Sequence, residues 1–469
     1  MSFSRRTFLT GAATGFSVLV LTACTPEAPK PTPTRTVAPT PDPVGPVPAP
    51  TAIVRSDWLG DEFSRGSHSF VAAGASPEQR AVLGKHLDGR IFFAGEATSI
   101  EQPATVDGAA QSGLSAAGEV LAYSTEGERI AIIGAGAAGA AAASRLVDSG
   151  LTVTVIEARD RIGGRIATLD DEDWPVPVEL GAAWAPESGS AVSLRLASLG
   201  IETVALERDR LLRLADGTDV DPSDSGDAAI TSAVDWAADR PEDSTITESL
   251  DGSGAGDADD SGDPPTARDR IDLALLEHIA IDRGAYPDEI SSWYGVALPA
   301  APTEERVLGG YARYITDQLD GTDVWLSSAV TALSYGDNGV SIRLATGESI
   351  SVDRAIVTVP LGVLKQQGIT FDPALPFEHR AAIADLGFGT TETIWLRFDE
   401  KFWDTDAVRW SVIGSDLAIT EWVNLEPLTG EAVLVGALSG SQSAVLAGLD
   451  DDAVLVELSS SLMPFLAES

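Results

Sequence analysis

The chain has 469 residues, with 71 Asp or Glu against 31 Lys or Arg and a formal net charge of −40. Such an acidic chain is excluded from non-specific nucleic-acid binding, because it would meet the phosphates with like charge. Its one cysteine, Cys24, excludes an intramolecular disulfide. The acids are spread along the whole chain, which suits solubility or a salty habitat better than steering of a cationic ligand.

The chain opens with MSFSRRTFLTGAATGFSVLVLTAC. Ser4, Arg5, Arg6, Phe8 and Leu9 form a twin-arginine export signal, and a modest apolar stretch follows. Leu21-Thr22-Ala23-Cys24 resembles a bacterial lipoprotein box, in which Cys24 carries the lipid; otherwise Cys24 is an ordinary signal-peptide residue. The expected place is the outer face of the bacterial cytoplasmic membrane, reached by the twin-arginine route and held there by acyl chains. Residues 25–52 are rich in proline and threonine and predict an extended, unpacked tether. No other segment is long and apolar enough to span a bilayer.

Three blocks follow in residues 53–124: DWLGDEFSRGSHSF (57–70), GRIFFAGEATS (89–99) and ATVDGAAQSGLSAAGEVLA (104–122). A short polar connector, YSTEGE, leads from them to IAIIGAGAAGAAAASRLVDSGLTVTVIEA (130–158). Ile130–Ile133 has the apolar run of a buried parallel strand. Gly134, Gly136 and Gly139 give G-x-G-x-x-G, for a tight turn, close approach of a pyrophosphate and close helix packing. Ala137–Val147 is helical, and its N-terminus offers N–H groups to phosphate. Thr152–Ile156 is the second strand, and Glu157 at its end is placed to accept ribose hydroxyls and to repel a 2′-phosphate. Such a unit usually opens an enzyme, yet here more than a hundred residues precede it.

ARDRIGGRIAT continues with Gly163, Gly164 and Arg165, a glycine pair and a cation suited to the same pyrophosphate, and ELGAAW (179–184) follows. With these motifs the chain resembles the flavin-containing amine oxidases: polyamine oxidases, monoamine oxidases and flavin-dependent histone lysine demethylases. The resemblance implies FAD and runs from Ile53 to the end, apart from an acidic loop. In that family the blocks seen at 57–122 close the chain. Here they stand first, while AVLVELSSSLMPFLAES looks like the helix that precedes them, so a circular permutation is implied. Permutation is tolerated where old termini lie close together and new ones open in an exposed loop.

The expected fold is α/β: a Rossmann-like FAD-binding domain intertwined with an α+β substrate domain, circularly permuted. The FAD-binding parts are 53–124, 129–210 and 306–365. The substrate domain comprises 211–305, helical with an acidic disordered loop at 216–269, and a sheet and helix over 366–469. RIDLALLEHIAIDRG and EISSWYGVAL read as helical, ERVLGGYARYITDQL introduces another helix, and residues 324–360 alternate as successive strands.

The resemblance also assigns roles. Gly134, Gly136, Ala138, Gly139, Glu157, Ala158, Arg159, Gly164, Arg165, Gly181, Ala182, Ala183, Trp184, Val330, Gly95, Glu96, Thr105 and Val106 would hold FAD. Lys365 in PLGVLKQQ would hold a water against the flavin, although a lone lysine after a strand is otherwise a solvated surface residue. No metal is expected. Two departures stand out: His68 replaces an aromatic wall residue, and Asp107 replaces a histidine. Thr105 fills a second aromatic position, so the two-aromatic cage is absent. His68 either faces the substrate or is a satisfied structural histidine, and Asp107 is read as the cap of the helix beginning near Gly108. The implied reaction passes a hydride from a neutral amine to the flavin, giving an imine and then an aldehyde, with molecular oxygen forming hydrogen peroxide. A flavin dehydrogenase or desaturase of a non-amine, or an inert flavin-binding lipoprotein, are the other readings.

Overall fold

Strands buried on both faces read as unbroken apolar runs, and Ile130–Ile133 lies in the middle of such a sheet. The computed structural model describes residues 46–207, 210–258, 261–296, 303–414, 417 and 419–467. The export motif, Cys24 and most of the proline-rich stretch lie outside the described residues. Five parallel strands run in the order Asp323–Trp325, Thr152–Ile156, Arg129–Ile133, Arg354–Val357 and Ile91–Phe93. The pleat sends Phe92, Ile130, Ile132 and Ile356 to one core and Ile91, Phe93, Ala131 and Ile133 to another. The helices Val106–Tyr123 and Ala137–Val147 close the first core, and the hairpin Val330–Gly336 with Gly339–Leu344 closes the second.

The two helices approach closely because both are built from small residues. A Cβ at Gly113 would lie 2.1 Å from the Ala138 carbonyl oxygen. Buried Arg354 ties the junction between them: its guanidinium donates to Glu128, to the Tyr123 carbonyl and to the Gly89 carbonyl. Residues 89–123 and 129–156 therefore share one sheet and one core, and the expected Rossmann-like α/β unit is present.

A second sheet has seven strands, in the order Ala52–Arg55, Thr391–Arg397, Val433–Ser439, Glu421–Asn424, Arg409–Val412, Leu211–Arg213 and Asp219–Val220. Trp410, Trp422, Ile394 and Leu396 fill its core with residues of the helix Asp451–Leu462. Three helices, Ser225–Ala238, Ile246–Ser253 and Ala267–Leu275, form a separate cluster, and the last runs on into the wide-turn segment Leu276–Ile281.

The structure differs from the sequence reading in three places. Residues 216–269 are no disordered loop, because two helices and the start of a third lie within them. Ile230, Ala233 and Ala237 fall on one helical face and pack with Ile246, Leu250 and Ile271, while Asp235 and Asp239 face solvent. The acid-rich composition hid that period. The tether also ends earlier than residue 52. Val47 is buried in a cluster with Phe398, Trp403, Leu462 and Phe465, and Ala52–Arg55 pairs with the second sheet rather than the cofactor sheet. Finally, the described part of EISSWYGVAL is not helical. Ser291 Oγ accepts the N–H groups of Trp293 and Tyr294, and this side-chain turn competes with helix formation.

Candidate active site

The central strand ends at Gly134, whose φ of +110° makes the sharp turn. A Cβ at Gly139 would lie 2.0 Å from the Gly134 carbonyl oxygen, so glycine is required for the helix to start against its own strand. A cavity of about 1080 Å³ extends from this turn to the seven-stranded sheet. Gly134, Gly136, Ala138, Glu157, Ala158, Arg159, Gly164 and Arg165 line one end. Gly95, Glu96, Thr105, Val106, His68, Gly181, Ala182, Ala183, Trp184 and Val330 line it as well. Gly139 does not; it sits behind the turn as a packing residue.

Glu157 is buried, with one carboxylate oxygen accepting from Ala135 N–H at 2.8 Å and the other from Arg159 N–H at 2.9 Å. Each oxygen keeps a further lone pair for a hydroxyl. Arg159 is anchored by Asp61, at 2.7 Å, from the first of the early blocks. Arg165 donates to Glu96 at 3.0 Å and to the Ser67 carbonyl at 2.6 Å. Burial pushes the Glu96 carboxyl up. Arg165, the Ser69 hydroxyl and Arg80 outweigh it and hold the group below the usual carboxylate range.

His68 lies in the cavity wall beside this network. Burial pulls its pKa down to about 4, with Arg165 and Arg283 adding to the effect and Glu96 opposing it. The ring is therefore neutral at neutral pH. Its Nδ1 shares a hydrogen bond with Ser67 Oγ at 2.9 Å, and its buried Nε2 has no partner among the described residues. At the far end the seven-stranded sheet contributes Arg409, Trp410, Glu421 and Trp422, and the strand Thr303–Val307 contributes Glu304 and Arg306. Arg210 pairs with Glu421 at 2.6 Å and with Glu277, while Arg409 pairs with Glu304 at 3.1 Å.

Two assignments are corrected. Lys365 does not reach the cavity: its ammonium donates to the Ala384 carbonyl at 2.8 Å, and no lysine is among the described lining residues. It stands at the end of the short helix Leu361–Lys365, where Val363 and Gln366 face the cavity. A residue two positions beyond Val363 is rotated by ~200°, onto the opposite face. Asp107 is not the cap of its helix. Thr105 is, with its side chain accepting from Gly108 N–H at 3.0 Å. Asp107 lies in the first turn and lines the cavity, where burial raises its pKa.

The arginines and tryptophans of the far end were missed because they belong to no motif. For two of the charges there the signal available was a place beside a tryptophan in a short strand, Arg409 in RWSV and Glu421 in EWVN, whereas Arg306 stands among other charges in TEERV and gave none.

A glycine turn feeding a helix, an acid on the next strand and a long partly apolar cavity define a dinucleotide-binding protein with room for a second ligand. Comparison with known proteins narrows the class. The family model described as "Flavin containing amine oxidoreductase" matches residues 42–121 and 286–467, and an "NAD(P)-binding Rossmann-like domain" model matches 132–209. The chain is 30% identical to "Polyamine oxidase 4" of Oryza sativa subsp. japonica over 69% of each chain. It is 29% identical to "Lysine-specific histone demethylase 2" of Homo sapiens, over 72% of this chain and 44% of that one. A structure of wild-type putrescine oxidase bound to putrescine shares the fold, with a TM-score of 0.57 at 20% identity over 73% of this chain and 82% of that one. The chain belongs to the flavin-containing amine oxidoreductase family and is an FAD-dependent oxidoreductase.

The residues present fit FAD. A Cβ at Gly95 would meet nothing within 4 Å, and one at Gly136 would meet nothing nearer than 3.7 Å, so the backbone is open to a ligand at both ends of the cofactor wall. Glu157 would hold a ribose, Arg165 and the helix N-terminus at Ala137 the phosphates, and the helix N-terminus at Val106 the flavin end.

Proposed function

We propose that this enzyme oxidises amines. The observation that carries the reading is one continuous cavity with an FAD cradle at one end, His68 beside that cradle, and a wall of Trp184, Trp410 and Trp422 at the other end. Bound FAD supplies the acceptor for a hydride from the carbon next to nitrogen. The nitrogen loses a proton, and water hydrolyses the resulting imine to a carbonyl compound and a smaller amine or ammonia. Molecular oxygen takes up the two electrons with two protons and leaves as hydrogen peroxide. The chain's own part is to exclude water and to position the amine. A neutral His68 puts no positive charge beside the amine, and the low-dielectric wall favours the amine's neutral form. Anaerobic mixing of the holoenzyme with a panel of amines tests this, with bleaching of the flavin expected; no bleaching with any amine would overturn it.

The same reading includes a circular permutation. Support comes from Val47, which shares a core with Leu462 and Phe465, so the ends that the unpermuted order would join lie together. Moving residues 47–122 behind 467 should preserve folding and FAD binding, and a protein that no longer folds would refute the permutation. Export by Arg5 and Arg6 and lipid anchoring at Cys24 rest on the sequence motifs. Cys24→Ser should move activity from the membrane fraction to the soluble one.

A further inference from the structure

At the far end of the cavity one buried guanidinium has a donor left without a hydrogen-bond partner. Arg306 is 4% exposed and lines the cavity, yet its Nη2 has no hydrogen-bond partner among the described residues. Two indole rings, Trp184 and Trp395, lie 5.5 and 5.6 Å from its Cζ. Among the described residues no acid forms an ion pair with it: Glu179 attracts it from further off, and the acids nearby are hydrogen-bonded to other groups. Glu304, two residues away on the same strand face, pairs with Arg409. Glu179 accepts from Tyr311 N–H and Thr168 Oγ1, both at 2.8 Å, and burial raises its pKa. Burial lowers Arg306 only to about 10, so it is a cation at neutral pH. A buried guanidinium without a hydrogen-bonded anion is costly, and its placement in a cavity wall suits a ligand that brings the anion.

We propose that Arg306 holds a carboxylate on the substrate, so that the amine oxidised here is an amino acid or another amine bearing a carboxylate, not a bare di- or polyamine. The proposal rests on the amine-oxidation reading and names its substrate class. A guanidinium presents a planar fork of donors that matches a carboxylate. A diamine would bring a second ammonium to a region where Glu421 and Glu304 are already paired with Arg210 and Arg409.

Binding and turnover test it separately on the FAD-loaded protein. Benzoate, titrated while the flavin spectrum is followed, should bind, and benzamide should bind more weakly. Arg306→Gln should lower benzoate affinity about 10- to 100-fold, the loss expected for a charge-assisted pair, with Arg306→Lys in between and FAD affinity unchanged in both. In anaerobic reduction, ornithine should outrun putrescine and phenylalanine should outrun 2-phenylethylamine, a preference that Arg306→Gln removes. Equal benzoate and benzamide binding, benzoate binding that is unchanged in Arg306→Gln, or faster reduction by the diamine would overturn the proposal. So would loss of FAD from a folded Arg306→Gln protein, which would assign the guanidinium to the cofactor. The wild-type comparisons need no variant, so they decide even if a substitution prevents folding. If benzoate binds through Arg306 but no amine bleaches the flavin, the anion site stands and the amine-oxidation reading falls.

Discussion

At the cofactor end of the cavity the contacts come largely from backbone, through the turn at Gly134, the open edges at Gly136 and Gly95 and two helix N-termini. At the Trp184 end they come from side chains: Arg210, Arg306 and Arg409, the acids paired with the first and last of these, and several indoles. A backbone cradle depends on glycines at fixed spacing and so leaves a readable pattern. A side-chain wall draws single residues from distant strands and leaves almost none. The first end accepts one cofactor, while the second is free to vary with the substrate.

The contrast can be broken most severely at Gly139. Gly139→Val places carbon against the Gly134 carbonyl oxygen, and it should cost about 3 kcal/mol, the upper range of overpacking; melting temperature and flavin content of the purified protein check it. Next, Glu157→Gln should keep the fold but weaken FAD binding by ~1.5–3 kcal/mol, because a charged acceptor is lost. Titrating apoprotein with FAD and following flavin fluorescence measures this, and unchanged affinity would separate Glu157 from the ribose. The helical cluster near the far end should respond to pH instead. Burial alone would lower the pKa of His278, but the hydrogen bond to Asp227 at 3.0 Å and the nearby Asp282 carboxylate raise it to about 9. A raised folded-state pKa means the stabilisation is complete below about pH 6.5 and is lost as pH rises through about 9. The loss is about 2 kcal/mol after allowing for the partly exposed Asp227. Denaturant unfolding across that range should show it in wild type and not in His278→Gln. Thr105→Ala removes a helix cap at the cofactor end and should cost about 1 kcal/mol, read from the same unfolding curves. Lys365→Met should be the mildest, leaving flavin reduction within about twofold, since the ammonium only caps the Ala384 carbonyl.

The cofactor sheet, the glycine turn, Glu157 and Arg165 were legible because each is a local pattern with one physical meaning. Lys365 was misplaced because resemblance supplied a motif without the helical phase, which turns the side chain from the cavity. The helices at 225–253 were obscured by acidic composition, although Ile230, Ala233 and Ala237 carry the period. Arg409 could be seen only as a charge out of place in a short strand, Arg306 among the acids of TEERV not even as that, and what surrounds them depends on three strands far apart in the chain. Val47 looked like part of the tether because its neighbours are prolines, and only the tertiary core reveals its role.

Among the described residues the strand Ile91–Phe93 has a single neighbour in its sheet, Arg354–Val357, and Ala52–Arg55 likewise pairs only with Thr391–Arg397. During synthesis both early strands emerge long before the segments they join. Until residue 357 has left the ribosome, apolar Ile91, Phe92 and Phe93 lack the strand they pair with, and an unpaired strand of this kind is prone to aggregate. The nascent chain thus has to shelter its first hundred residues until its last quarter arrives. Such non-local closure predicts slow folding and a need for chaperones that hold the early segment.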